Sequence, residues 1–81
     1  MELDGSIKMF DFGEALDRLR DGGTVARAGW NGLGMHLRLQ NPTDTSMMRK
    51  PYIYIKPVDG LLVPWTASQT DILAQDWYQV D

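Results

Sequence analysis

Eighty-one residues, 43% hydrophobic and 23% charged, give a globular chain with room for one core. It has no cysteine, which excludes disulfides, thiolate zinc sites and cysteine nucleophiles together. The net charge of −3 argues against general binding to DNA or RNA polymers, and no apolar run approaches the ~20 residues of a membrane span. A chain this short buries only about 60–65% of its unfolded surface. Association with copies of itself is the staple still open to it.

Residues 1–81 are expected as a single domain, with 1–10 as a leader whose residues 7–10 add a short strand. Met1 to Ser6 lack the basic, apolar and small-residue pattern of a secretion signal. The first clear element is a helix. Asp11 followed by Glu14 fits a capping box, and Phe12, Ala15, Leu16 and Leu19 form one apolar stripe. Gly22-Gly23 supplies the stop.

Two strands follow, at 24–28 and 35–40. In the second, Met35, Leu37 and Leu39 share one face, and His36, Arg38 and Gln40 the other. The glycine-rich run Gly29-Trp30-Asn31-Gly32-Leu33-Gly34 joins them tightly. Residues 41–51 read as a loop. A third strand spans 52–56, Asp59-Gly60 turns the chain, and 61–63 return until Pro64 ends the strand or sets it at an edge. Ser68 with Asp71 starts a short helix running to about Gln75. Residues 77–80 close the chain as a strand. The predicted fold class is α+β: a small antiparallel sheet with the first helix packed on one face and a short second helix before the last strand.

The charge is unevenly placed. Residues 1–21 hold six acids and three bases, a balance of −3. Residues 22–58 hold Arg27, Arg38, Arg49, Lys50 and Lys56 against Asp44, a balance of +4. Residues 59–81 hold four aspartates and no Lys or Arg, a balance of −4. A basic centre in an acidic chain suits one local anion. The plain alternative is a set of bases on solvated strand faces.

Catalysis has little support. His36 stands alone on a polar strand face, without a second ligand or a nucleophile. Ser68 is best explained as a helix cap. Asp71 and Asp76, five apart on a short helix, are expected to point in different directions. Binding is better supported. Trp30 sits in a glycine-flanked turn and Trp65 follows a proline, so both suit stacking on a flat ring. Asn31, Thr66, Ser68, Gln69 and Thr70 hydrogen-bond without reacting, and Arg27 is placed to neutralise a phosphate. Trp77, within a strand pattern, reads as core.

Two long runs carry a family resemblance. One is Phe12-Gly13-Glu14-Ala15-Leu16 with Val25-Ala26-Arg27-Ala28-Gly29-Trp30-Asn31-Gly32-Leu33-Gly34-Met35. The other is Val63-Pro64-Trp65-Thr66-Ala67-Ser68-Gln69-Thr70-Asp71-Ile72-Leu73-Ala74-Gln75-Asp76-Trp77. In order and extent they resemble the phage Thoeris anti-defence family, second type. The resemblance implies a sponge that binds a cyclic ADP-ribose-type (glycocyclic ADP-ribose) immune signal without cleaving it, and for some relatives cyclic oligonucleotides at a separate site. It implies no enzyme activity, no cofactor and no metal. It further implies a homotetramer with pockets between protomers, acting in the cytoplasm of the infected bacterium, with no membrane partner. The ligand-binding residues it carries over are Trp30, Asn31, Trp65, Ser68, Gln69, Thr70 and Asp71, beside Arg27 from the residue reading. The loop at 41–51 is shorter than usual for the family. The alternative function is a protein-interaction inhibitor of a host defence factor, working through exposed tryptophans.

Overall fold

The computed structural model describes residues 7–32 and 34–80. It has the element order α1 (Phe12–Arg20), β1 (Thr24–Arg27), β2 (His36–Gln40), β3 (Tyr52–Lys56), β4 (Val63–Pro64), α2 (Gln69–Leu73) and β5 (Trp77–Val80). The strands form one antiparallel sheet in the order β4-β3-β2-β1-β5. The fold is α+β as expected, and no described helix is long and apolar enough to cross a membrane.

Helix α1 starts where Asp11 can cap it: the Asp11 carboxylate accepts the Glu14 N–H at 2.9 Å. The expected return half of the capping box does not form. Glu14 turns instead to Arg18, one turn ahead, at 2.6 Å. At the other end Gly22 adopts φ +89°, a left-handed conformation that favours glycine. Gly23 N–H then reaches the Arg18 carbonyl at 2.8 Å and Gly22 N–H the Leu19 carbonyl at 3.0 Å, a Schellman stop.

Strand register decides the faces. Val25 pairs with Leu37 and Gln79, Leu37 with Ile55, and Arg27 with Trp77. Directly paired residues share a face, so Val25, Arg27, Leu37, Leu39, Ile53, Ile55 and Trp77 all lie on one side. Helix α1 packs there against β1, β5 and β2, and touches α2. The core is Phe10, Ala15, Leu19, Val25, Leu37 and Trp77, with Phe12, Leu16, Trp30 and Trp65 packed against it. The opposite face carries His36, Arg38, Gln40, Tyr52, Tyr54 and Lys56 and no helix.

Five elements differ in their bounds from the sequence reading. The strand expected at 7–10 reduces to a single bridge from Phe10 to Trp77 on the outer edge of β5. The strands expected at 24–28 and 35–40 each lose one residue where the glycine-rich connection begins. The return strand, expected at 61–63, starts at Val63 because Leu61 N–H is held by the Asp59 carboxylate in the turn. Helix α2 ends at Leu73, two residues short of Gln75, because Ala74 is already extended. Pro64 sits on the sheet's edge. Trp65 N–H bonds to the Ile53 carbonyl, so Pro64, opposite Tyr54, turns its nitrogen away from β3 and breaks no ladder bond.

Trp77 is fully buried at the centre of this packing. Trp77→Ala is expected to cost about 3–5 kcal/mol, the range for truncating a buried aromatic. For a domain this small that is a large part of total stability. Urea unfolding followed by circular dichroism should show the midpoint collapse. A loss under about 1 kcal/mol would contradict the packing described.

Candidate functional site

The aromatic residues converge. Trp30 and Trp65 meet Trp77 edge-on, with ring centroids at 5.4 and 6.0 Å. Phe12 lies 5.4 Å from Trp77 and 6.0 Å from Trp65. Trp77 is the buried hub, as its strand pattern predicts, while Trp30 and Trp65 are half-buried on its flanks. They combine the two readings the sequence left open. Each packs on the core and each keeps part of an indole at the surface.

A charged network holds the same region. Arg27, at the end of β1, donates from Nε to Asp76 Oδ1 at 2.8 Å and from Nη1 to Asp71 Oδ1 at 2.8 Å. Asp71 Oδ1 also accepts the Trp30 indole N–H at 3.3 Å, and its Oδ2 accepts Ser68 N–H at 3.3 Å. Ser68 Oγ accepts Asp71 N–H in return, so the capping box expected at α2 is complete. The Asp71 carbonyl takes the Trp77 indole N–H at 3.0 Å. Asp76 Oδ2 accepts Gly29 N–H at 2.8 Å. The approach is close: a Cβ on Gly29 would lie 3.0 Å from Asp76 Oδ2, so the carboxylate would have to give by a few tenths of an ångström.

Two expectations change here. Asp71 and Asp76 do not point apart. Helix α2 stops at Leu73, so Asp76 lies beyond it and both carboxylates meet on Arg27. Arg27 in turn faces two carboxylates whose combined charge exceeds its own, with its side chain only 15% exposed. A phosphate would find a local balance of −1 there. Arg27 thus ties the end of β1 to the α2 segment and, through Asp71, to the Trp30 indole.

The protonation states follow. For Asp71, burial raises the pKa, but the bonds from Arg27, Ser68 and Trp30 together outweigh it and hold the carboxyl below its ordinary range. For Asp76 the Arg27 bond dominates and lowers it, against burial. Arg27 is pushed up by the bonds to Asp76 and then Asp71. Both aspartates are ionised at neutral pH, and neither is poised to deliver a proton.

The remaining expected residues lie around this framework. Asn31 follows Trp30 and is exposed; Ser68, Gln69 and Thr70 are exposed at the start of α2. Sequence reasoning missed both Asp71 and Asp76 as partners of Arg27, and Phe12 as part of the aromatic cluster. The signal for Asp76 was the −4 balance of the last segment opposite the +4 of the centre.

The fold and its aromatic cluster define a small α+β protein in which two tryptophans, flanking a buried third, stand half in the core and half at the surface. The chain belongs to the Thoeris anti-defense 2-like domain family, whose model matches residues 10–80. A protein of Bacillus phage SP01 named Thoeris anti-defense 2 is 38% identical to it over 79 residues, covering 82% of this chain and 89% of the relative.

The ion network gives a pH prediction. Depressed carboxyl pKa values mean that the unfolded chain binds more protons at low pH. The contribution of Asp71 and Asp76 is complete above the ordinary carboxylate range and is lost as pH falls through their lowered values. Glu14, lowered by its bond from Arg18, works in the same sense at the surface. The urea midpoint should be level above about pH 5 and fall below about pH 4, less steeply in Asp76→Asn. A midpoint unchanged down to about pH 2.5 would contradict the network.

Proposed function

We propose that the protein binds and sequesters, without cleaving, a cyclic ADP-ribose-type immune signal such as glycocyclic ADP-ribose. Effector activation in the host cytoplasm is thereby blocked. The observation that carries this reading is the pair of half-buried indoles, Trp30 and Trp65, flanking Trp77 beside the capped start of α2, in a chain of an anti-Thoeris family. Indole faces take up a base, and the exposed Asn31, Ser68, Gln69 and Thr70 supply neutral hydrogen bonds. Arg27 and Asp71 serve this site by holding its parts in place.

Sequestration needs affinity and burial rather than turnover. The carboxylates a hydrolase would use, Asp71 and Asp76, are both occupied by Arg27. Enclosing 70–90% of a nucleotide takes walls from more than one side. An 81-residue chain finds them in a second copy, so the working form is a homo-oligomer, a tetramer with pockets between protomers. A separate site for cyclic oligonucleotides is part of the same reading.

A second reading has its own observation. Val58, Leu61, Leu62 and Val63 are 47–70% exposed around one turn. Such a patch suits a protein-interaction inhibitor of a host defence factor. Replacing Leu61 and Leu62 by Ser separates the two: it abolishes partner binding on the second reading and leaves nucleotide capture by the flanking indoles intact on the first.

The decisive test is recovery. Protein is mixed with glycocyclic ADP-ribose, stripped of free ligand and denatured by heat. The signal should return intact; a hydrolysed product would mark an enzyme, and no bound nucleotide would sink the reading. Trp30→Ala and Trp65→Ala should each weaken binding by about 1–3 kcal/mol, the scale of one lost stacking contact. Isothermal titration reads it directly, and unchanged affinity in both removes stacking from the account.

A further inference from the structure

If Arg27 is neutralised, the anionic part of a nucleotide must be met elsewhere. Helix α1 packs on β1, β5 and β2 but leaves the β3 end of the sheet open. A cleft of about 580 Å³ lies there, within the range of small-molecule sites. Leu16, Leu19, Leu39 and Ile53 make its apolar lining, Trp65 stands in its wall, and Arg20 brings a charge. Arg20 is loosely held: its described ion pair is to Asp17 at 3.7 Å, with both side chains about 70% exposed. Such a pair is worth little and gives way to a better anion.

No other described Lys or Arg lines this cleft. Arg18 is engaged by Glu14 and Gln79 and lies 4.3 Å from the centre of the Phe10 ring. Arg38 and Lys56 belong to the opposite face of the sheet. A larger groove, about 800 Å³, runs along the outer flank of α1, but Asp11, Glu14, Asp17 and Asp21 line it against Arg18 alone. That groove repels phosphate.

We infer that the α1–β3 cleft receives a phosphorylated nucleoside, its phosphate on Arg20 and its base against Trp65. The inference rests on the nucleotide reading above and deepens it, by moving the anion contact from Arg27 to Arg20. It gives Trp65 two neighbours of different character, the core hub Trp77 on one side and an apolar cleft with a single charge on the other.

The probes are adenosine 5′-monophosphate and adenosine, titrated into the protein and followed by amide and indole NMR signals. The phosphate should strengthen binding about tenfold, the worth of one charge-assisted bond at a partly solvated site. Signals of Trp65, Leu39 and Ile53 should move. Arg20→Gln should bring the monophosphate down to the level of adenosine, Arg20→Lys should restore part of the gain, and Arg38→Gln should change nothing. A phosphate advantage that survives in Arg20→Gln overturns the inference, as do shifts confined to α2 and the Trp30 loop, or no shift at all. The sequestration reading fails separately. Protein that binds the monophosphate in the cleft but returns no intact cyclic signal keeps this inference and loses that reading. Protein that returns the signal equally well as Arg20→Gln, with an unmoved cleft, does the reverse.

Discussion

The region around the tryptophans depends on one guanidinium held between two carboxylates. Arg27 ends β1, and its partners Asp71 and Asp76 come from the α2 segment forty-four and forty-nine residues later. With the ring contacts at Trp77, these bonds fix the α2 segment to the sheet where α2 is too short to pack by itself. The bonds are directional: Nε serves one acid and Nη1 the other. A lysine could not reproduce that geometry. The carboxylates then pass the constraint on, Asp76 to the Gly29 backbone and Asp71 to the Trp30 indole. Position is thereby transmitted from a strand end to the surface indole of Trp30 through atoms that need not touch a ligand.

This arrangement explains an apparent conflict in the sequence. A basic centre within an acidic chain reads as an anion site, and one of its bases is instead consumed internally. Part of the charge segregation is cohesion: two of the four C-terminal aspartates answer a central arginine across the fold. The base proposed above to face an anion lies outside the basic segment. Arg20 lies in the helix stretch whose own balance is acidic. Segment sums give the direction of a long-range attraction, but not which base is left over.

Local pattern carried most of the fold. The stripe of Phe12, Ala15, Leu16 and Leu19, the alternation through Leu37 and Leu39, and the Asp-Gly turn each name their element, because their causes lie within a few residues. The strands at 52–56 and 77–80 match the observed ones residue for residue. The errors sit where a distant partner or a single backbone bond decides. Glu14 could close a cap or pair with Arg18, and both options lie within one turn of helix. Asp76 was placed on a helix that ends three residues earlier, and only then does its direction reverse toward Arg27. The aromatic cluster was half legible. Trp30 and Trp65 were visible as unusual, but their sharing of one hub in Trp77 is a property of the assembled fold.

The two edges of the sheet limit how it meets its surroundings. Phe10 bridges to Trp77 on one side, and Pro64 turns a ring nitrogen without a hydrogen outward on the other. Neither margin offers a full row of free donors for another strand to zip onto. Strand addition along either margin is disfavoured, and the faces of the sheet are what remains for contact between molecules. Such a chain can accumulate in a cell without polymerising edge to edge.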